Sequence, residues 1–235
     1  MRKLASKLRD DIEEAEENKV DVRRDDRTIK EFAIDLEHLT GDYLNIHRIS
    51  LMHPETHTVG FHKLEMKLRK GDRYILKGPN GIGKTTLLKS LVHAHNKDAM
   101  IAPEVKVGYY SQDFSELDMN QTVWDSIQSV TNELTDQETY RIASHFLLTG
   151  DLLKQPIALL SEGQKGLLCY ARFVAQKPHL LILDEPSNHI NFRHLPIIAQ
   201  SLNAYKGAIL LVSHDQTFVD QIDELQPIVL GRLLR

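Results

Sequence analysis

The stretch GPNGIGKT, residues 78–85, constrains this chain more than any other feature. It fits the pattern G-x-x-x-x-G-K-T, and it stands between a short apolar run, YILK from Tyr74, and the apolar-periodic stretch TLLKSLVHAH from Thr86. A glycine-rich turn between a strand and a helix exposes backbone N–H groups that can surround a phosphate. The sequence therefore predicts a strand, a phosphate-binding loop and a helix, in that order.

Contact with a nucleotide is predicted for the whole loop and for the start of the helix. Lys84 has the length and charge to reach the β- and γ-phosphates of a nucleotide, and Thr85 can offer its hydroxyl to Mg²⁺. The predicted nucleotide-binding residues of this segment are Gly78, Pro79, Asn80, Gly81, Ile82, Gly83, Lys84, Thr85 and Thr86.

A second acidic and apolar motif, LLILDEP at residues 180–186, predicts a buried strand with two carboxylates at its carboxyl end. In open α/β sheets, ligands bind beyond this end of the strands. Asp184 is suited to hold Mg²⁺, directly or through water, and Glu185 is suited to polarise an attacking water. The alternative is that the two acids only cap the next helix.

Short apolar runs alternate with helical stretches along the second half of the chain. The runs YILK, HLLILD and AILLVS predict an α/β fold whose core is a parallel sheet covered on both faces. Earlier residues alternate with period two, which predicts antiparallel strands with one wet face. The alternating apolar positions are Phe32, Ile34, Leu36, Leu44, Ile46, Leu64, Met66 and Leu68.

Composition excludes several classes of protein. The 235 residues carry a net charge of −4, so no global field draws the chain onto nucleic acid or an anionic membrane. The longest apolar runs fall well short of the roughly 18 residues that a membrane-spanning helix needs. Cys169 is the only cysteine, which excludes an intramolecular disulfide and favours a reducing, cytoplasmic location.

Five motifs together identify a resemblance. The loop 78–85, YYSQD with Gln112, LSEGQ at 160–164, LLILDEP, and LVSHD with His214 occur in the order and spacing of an ATP-binding cassette (ABC) ATPase domain. The resemblance covers the chain from about residue 29 to residue 235. It implies binding of ATP and Mg²⁺ and hydrolysis of ATP to ADP and phosphate.

The resemblance also implies roles for individual residues. Gln112 would sense Mg²⁺ and the attacking water, and His214 would contact the γ-phosphate. Residues Ser161, Gly163 and Gln164 would contact the nucleotide of a second ABC domain, which is either another copy or a missing N-terminal half. His53 stands where the family places an aromatic residue that stacks on adenine, and Asn191 stands where the family usually has Asp.

Within the ABC family, SNHIN after Pro186 resembles the TNHLD stretch of ABC-F proteins. The charged residues 1–27 resemble the end of an ABC-F interdomain linker, followed by an ABC domain at 28–235 with a helical insert at about 115–160. ABC-F members mostly act on the ribosome, so ribosomal RNA and protein are the implied partners. Two alternatives stay open, the cytoplasmic subunit of a membrane ABC transporter and an ATP-dependent clamp with little turnover alone.

Two other motifs are given weaker interpretations. HNKDA from His95 resembles the guanine-reading NKxD motif, but its aspartate comes one position early, so ATP is favoured over GTP. Four histidines, His47, His53, His57 and His62, lie within sixteen residues, but their spacing is irregular and no cysteine joins them. We interpret them as surface histidines rather than as a zinc site.

Overall fold

The structure is a computed structural model that describes residues 27–53, 55–93 and 98–234. Almost all of the charged arm predicted for residues 1–27 therefore lies outside the described residues, and so do residues 95–97 of HNKDA. None of the helices formed by the described residues has the length and apolar character that crossing a membrane requires.

Eight strands and six α-helices are formed by the part of the chain that the structure describes. The strands are β1 (Asp42–Met52), β2 (Val59–Arg69), β3 (Arg73–Lys77), β4 (Ala99–Ile101), β5 (Val107–Tyr110), β6 (Leu180–Asp184), β7 (Ala208–Val212) and β8 (Gln226–Val229). The helices are α1 (Lys84–Val92), α2 (Val123–Gln128), α3 (Asp136–His145), α4 (Glu162–Gln176), α5 (Leu195–Ala204) and α6 (Gln216–Val219). Short 3₁₀ helices cover Gly150–Lys154, Ile157–Leu159 and Leu230–Leu234.

A five-stranded parallel sheet in the order β5-β6-β7-β3-β8 forms the centre of the fold. Every residue of β6 and β7 is buried, because both faces of the sheet are covered. On β6, Leu181 and Leu183 belong to the core on the side of α4 and α5, whereas Leu180 and Ile182 belong to the core on the side of α1 and the second sheet. The predicted α/β fold with a parallel sheet is confirmed.

The second sheet is antiparallel and has the order β2-β1-β4. Its inner face follows the predicted alternation, since Ile46 is paired with Met66 and both side chains are buried. The end of β1 contacts the phosphate loop directly, because the Met52 N–H donates to the Ile82 carbonyl at 3.0 Å. The antiparallel subdomain is therefore fixed against the loop 78–83.

The strand predicted around Phe32, Ile34 and Leu36 is wrong. Residues 27–40 form no strand, although their side chains do alternate between buried and exposed. This segment crosses the helices instead of pairing with a strand: the Lys30 N–H donates to the His145 carbonyl at 2.9 Å, and the Ser201 hydroxyl donates to the Phe32 carbonyl at 2.7 Å. The period-two pattern arises because alternate side chains of an extended segment are buried. An extended segment can bury them against helices without pairing with another strand.

The stretches TVWDSIQSV from Thr122 and DQETYRIASHFLL from Asp136 predict two helices in the insert, and both are present but shorter than these stretches. Thr122 is the N-cap of α2, where its side chain accepts from the Asp125 N–H, and Thr135 is the N-cap of α3, where it forms a capping box with Glu138. Helix α3 ends at His145 rather than continuing through the following Phe-Leu-Leu, and Leu147 has a φ of 61°. Both helices pack on α4, which carries the motif LSEGQ at its start.

Candidate nucleotide-binding site

The phosphate loop connects β3 to α1 in the predicted way. Gly81 has a φ of 78° and Gly83 a φ of 110°, which are values that glycine adopts without steric cost. Gly83 is the N-cap of α1, so free N–H groups of the first helical turn face the loop. Such a helix start is a ready seat for an anion.

Lys84 is buried inside the loop that it follows. Its ammonium donates to the Gly78 carbonyl at 2.8 Å and to the Pro79 carbonyl at 3.1 Å. Burial lowers the pKa of Lys84, while the nearby charges of Glu185 and Asp184 oppose that shift. The lysine is thus held at the centre of the loop by two neutral acceptors.

Asp184, the last residue of β6, is fully buried. Neither of its carboxylate oxygens accepts a hydrogen bond of normal length from the described residues, although Thr85 lies near enough to favour the charged form. Burial raises the pKa of Asp184 and the neighbouring Glu185 adds to the shift, while Thr85, Lys89 and Lys84 oppose it. A buried, unpartnered carboxylate next to a hydroxyl is an oxygen donor set that suits Mg²⁺.

Glu185 is held from two sides by the neighbouring strand β7 and the loop that follows it. Its N–H donates to the Val212 carbonyl at 2.8 Å, and its Oε2 accepts from the His214 N–H at 3.0 Å. The His214 ring nitrogen Nε2 lies 3.5 Å from Oε1 of the same carboxylate. The backbone of Glu185 is left-handed, with a φ of 54°, and such a strained non-glycine residue is typical of functional sites.

One cavity of about 400 Å³ brings these groups together. Its lining comes from the phosphate loop, the start of α1, the segments after β5 and β6, and the end of β7 with the loop that follows. The lining residues are Asn80, Gly81, Gly83, Lys84, Thr85, Thr86, Gln112, Asp184, Glu185, Asn188, Val212 and His214. Ten of these twelve were predicted from the sequence as nucleotide-binding, metal-binding or catalytic residues.

Asn188 and Val212 line the cavity but were missed by the sequence analysis. Asn188 follows the two acids, and its N–H donates to the Glu185 carbonyl at 3.0 Å in a turn beyond β6. Its polar side chain after LLILDEP was the signal that could have found it. Val212 carries no polar side chain, so only the order of the strands reveals its place.

Three residues of the predicted loop lie outside the cavity lining. Gly78 and Pro79 contribute carbonyls to Lys84 instead, and Ile82 is buried in the core with only 1% of its surface exposed. His53 lies in the turn between β1 and β2, where its ring Nδ1 accepts from the N–H groups of Glu55 and Thr56. Adenine stacking by His53 stays a prediction.

The LSEGQ motif also lies apart from this cavity. Ser161 is the N-cap of α4: its hydroxyl oxygen accepts from the Gln164 N–H at 3.2 Å, while its own N–H donates to the Gln164 side chain at 2.9 Å. This capping box is a sufficient structural reason for both residue types. Ser161 is nevertheless exposed and Gly163 partly so, which leaves the helix start open to an external ligand.

The start of α4 packs tightly against the loop that follows Glu185. A Cβ added at Gly163 would stand 2.9 Å from the His189 carbonyl, so a larger residue does not fit there. The ring nitrogen Nδ1 of His189 also lies 2.8 Å from the carboxylate oxygen Oε2 of Glu162. Asn191, further along the loop, accepts the Arg193 N–H at 3.0 Å and closes a local turn before α5.

The four histidines of residues 47–62 do not meet at one point. The ring of His47 is paired with Glu65 at 2.9 Å, and that of His53 closes its own turn. Within the described ranges, no three His, Cys, Asp or Glu side chains are grouped closely enough to hold a metal ion. Cys169 is buried in α4, as expected of a small apolar core residue.

The strand-loop-helix geometry, the buried acids at the next strand and the shared cavity define a P-loop nucleotide-binding domain. Comparison with known families gives the particular one. The family model described as "ABC transporter" matches residues 61–188, and the chain belongs to this family.

Among curated relatives, the ATP-binding cassette sub-family F member 2 of Mus musculus is 36% identical over 167 residues, which cover 69% of this chain and 27% of that protein. This relative is a member of the ABC-F group that the sequence resembles. The chain spans only 25–32% of the length of the first curated relatives that it matches.

Solved structures show the same fold at low sequence identity. The complex of archaeal ribosomal stalk protein aP1 and ribosome recycling factor aABCE1 matches with a TM-score of 0.61 at 19% identity, covering 85% of this chain and 39% of that one. The dimeric post-hydrolysis state of the ATP-binding cassette MJ0796, bound to ADP and Pi, matches with a TM-score of 0.60 at 15% identity, covering 79% of this chain and 94% of that one.

Proposed function

We propose that this chain is an ABC-F-like ATPase module that binds Mg·ATP at residues 78–86 and hydrolyses ATP when a second ABC domain closes over the site. The observation that carries the proposal is the single cavity that Lys84, Asp184 and Glu185 share with Gln112 and His214. These five side chains come from four element ends, because Asp184 and Glu185 both lie at the end of β6. A cavity built in this way has the composition that phosphoryl transfer to water requires.

Phosphate binding is the task of the loop and of Lys84. The lysine ammonium donates to two neutral carbonyls, and a charged phosphate oxygen is a stronger acceptor than either. Thr85, Asp184 and Gln112 would hold Mg²⁺, which when bound neutralises phosphate charge and fixes the orientation of its oxygens. The unpartnered oxygens of Asp184 support this assignment.

Water activation is the task of Glu185. The Val212 carbonyl fixes the backbone of Glu185, and the His214 N–H fixes its carboxylate at the cavity wall. There the carboxylate can accept a proton from water and orient that water for in-line attack. His214 lies beside it and would contact the γ-phosphate.

A second ABC domain completes the site in this proposal. The residues Ser161, Gly163 and Gln164 lie at an exposed helix start outside the cavity of their own chain. A helix start attracts anions, so this surface would contact the γ-phosphate of a nucleotide bound by the partner. Either a second copy or another ABC domain of a longer protein can supply the partner.

The direct test is phosphate release by the purified chain at increasing protein concentration. If two domains share each site, the specific activity rises with concentration because the fraction of paired domains rises. A specific activity that is low at every concentration would favour a second function, an ATP-dependent clamp with little turnover alone. The position of Ser161 outside the cavity favours that candidate equally well.

We further propose that the module works on the ribosome in the cytoplasm. The ABC-F resemblance supports this setting, and so does the fold shared with a protein described as a ribosome recycling factor. Sedimentation with purified ribosomes in the presence of ATP, using a variant that cannot turn ATP over, tests the proposal. Absence of binding to ribosomes together with co-purification of a membrane subunit would contradict it and favour the transporter alternative.

A further inference from the structure

The loop that carries Gln112 is a compact turn between β5 and residue 117. Ser111, the residue before Gln112, is fully buried, whereas Gln112 is exposed at the cavity. The turn is closed by the Phe114 N–H, which donates to the Ser111 carbonyl at 3.2 Å, and by the Ser115 N–H, which donates to the Ser111 hydroxyl oxygen at 2.8 Å. The position of Gln112 therefore follows the position of Ser111.

Glu116 is the residue that fixes Ser111. One carboxylate oxygen of Glu116, Oε1, accepts the Ser111 N–H at 3.3 Å, and the other, Oε2, accepts the Ser111 hydroxyl. The same Oε1 also accepts the thiol of Cys169 at 3.2 Å. Glu116 thus joins the Gln112 loop to α4, which begins at Ser161.

Two side chains of α4 lie close to Glu116. Burial raises the pKa of the Cys169 thiol, and Glu116 adds to the shift, so the thiol stays a neutral donor. Arg172 lies near enough to interact electrostatically with Glu116, and its guanidinium donates to the Ser126 hydroxyl oxygen on α2 at 2.9 Å. The Glu116 carboxylate therefore contacts the Gln112 loop and α4, and it lies near Arg172, which bonds to the insert.

We propose that Glu116 is a positioning residue that holds Gln112 at the nucleotide cavity and ties that loop to α4. The inference rests on the proposed function, in which Gln112 contacts Mg²⁺ and the attacking water. Any movement of α4 when its exposed start meets a partner's nucleotide would reach Gln112 through Cys169, Glu116 and Ser111.

Hydrogen exchange of the backbone amides at residues 111–116 tests the contact without any need for activity. In Glu116→Gln, the single remaining carbonyl oxygen cannot serve three donors, so we expect exchange of these amides to become about tenfold faster in the nucleotide-free chain. Glu133→Gln, which changes an exposed glutamate of the insert, is the matched control and should exchange like the wild type. Unchanged exchange in Glu116→Gln would overturn the proposal.

Substitutions on α4 separate the contact from general packing. Cys169→Ser keeps a donor toward Glu116 and should preserve the protection of residues 111–116. Cys169→Ala removes the donor and should accelerate the exchange several-fold. Equal exchange in these two variants would show that the link to α4 does not exist. This comparison remains informative even if Glu116→Gln folds poorly.

Kinetics then show whether the contact serves the reaction. Since Lys84 and the phosphate loop bind the nucleotide without Glu116, we expect Glu116→Gln to lower kcat about tenfold and to change KM for ATP by less than about twofold. A wild-type kcat in Glu116→Gln would overturn the positioning role. If the wild type itself releases no phosphate, the proposed function fails, whereas the exchange measurement still decides whether Glu116 holds the loop.

Discussion

The backbone N–H of His214 donates to the Glu185 carboxylate at 3.0 Å, although 29 positions separate the two residues in the chain. The contact exists because β6 and β7 are neighbours in the parallel sheet, so the residues that follow them meet at one edge. The backbone, not the imidazole, makes the short contact. The acid is therefore oriented whatever the protonation state of the histidine ring.

This relationship predicts the behaviour of Glu185→Gln. The amide can still accept from the His214 N–H, so the variant should fold and bind ATP like the wild type. It cannot take a proton from water, so we expect kcat to fall by about 100-fold or more. Single-turnover phosphate release measures the change, and size-exclusion chromatography with ATP should show an accumulated ATP-bound dimer.

The matched control is Glu224→Gln. Glu224 also has a positive φ, 59°, but it is exposed and does not line the cavity. The same chemical change in the same backbone conformation should leave turnover unaltered. If Glu185→Gln hydrolyses ATP as fast as Glu224→Gln, Glu185 does not activate the water.

Lys84→Met separates nucleotide binding from stability. In the proposed function the ammonium is the charged donor to phosphate, so its loss should raise the dissociation constant for ATP at least about tenfold. The melting temperature of the nucleotide-free chain should change little, because two lost hydrogen bonds are offset by relief of a buried charge. Fluorescent-nucleotide titration and thermal unfolding measure the two quantities.

Lys70→Met is the control for Lys84→Met, since Lys70 is exposed in the turn before β3. It should bind ATP with the wild-type affinity. A Lys84→Met chain that also kept this affinity would remove the phosphate role of Lys84.

Much of the site could be predicted from the sequence because its residues belong to continuous motifs. The loop 78–85 and the pair Asp184 and Glu185 each carry their own strand and helix context, and the strand order then brings them together. Val212 could not be found in this way. The run AILLVS predicts its strand, but its place at the cavity depends on the pairing of β7 with β6, which the run itself does not show.

The fold shows the same division between local and non-local information. Strands β4, β5 and β8 were missed: each has only three or four residues, and β8 also contains Pro227. Proline lacks an N–H and is tolerated at the edge of a sheet, which is where β8 lies. For the segment around Phe32 a strand was predicted where none exists. Its side chains do alternate between buried and exposed, but its backbone hydrogen bonds go to helices.

Asp184→Asn should stabilise the nucleotide-free chain and weaken its use of Mg²⁺. The wild-type carboxylate is buried and accepts no normal hydrogen bond from the described residues, so removing its charge should raise the free energy of unfolding at neutral pH by about 1–2 kcal/mol. Chemical denaturation without nucleotide measures this gain. ATP binding at limiting Mg²⁺ should become weaker, because an amide is a poorer ligand for a hard cation.

Asp215→Asn is not a suitable control, because Asp215 caps α6. Asp151→Asn, at an exposed position of the insert, is appropriate and should change neither quantity. A loss of stability in Asp184→Asn would mean that the carboxylate has stabilising partners in the nucleotide-free state.

The ion pairs of Asp42, at the start of β1, should make a pH-dependent contribution to the stability of the fold. Hydrogen bonds from Arg69 and Lys67, at 2.6 Å and 2.9 Å, lower the pKa of Asp42 below its usual value of 3.8. For an acid with a lowered pKa in the folded state, the contribution is fully present above the unfolded pKa and disappears as the pH falls through the folded pKa. Thermal unfolding should therefore give a higher melting temperature for the wild type than for Asp42→Asn at about pH 6. The two melting temperatures should become equal as the pH falls to about 2. A difference that grows on acidification would contradict the ion pairs.

Mixing two inactive variants tests whether two copies of this chain share their sites. Lys84→Met removes phosphate binding from its own chain, and Ser161→Arg blocks the helix start that would face the partner's nucleotide. In a dimer of one variant with the other, one site carries both defects and the second site carries none.

Random pairing makes half of the dimers mixed, so an equimolar mixture should regain about a quarter of the wild-type activity, although each variant alone is inactive. Phosphate release from the mixture measures this recovery, and the wild type at the same total concentration gives the reference activity. If the equimolar mixture of the two inactive variants stays inactive although the wild type is active, two copies of this chain do not share their sites in this way.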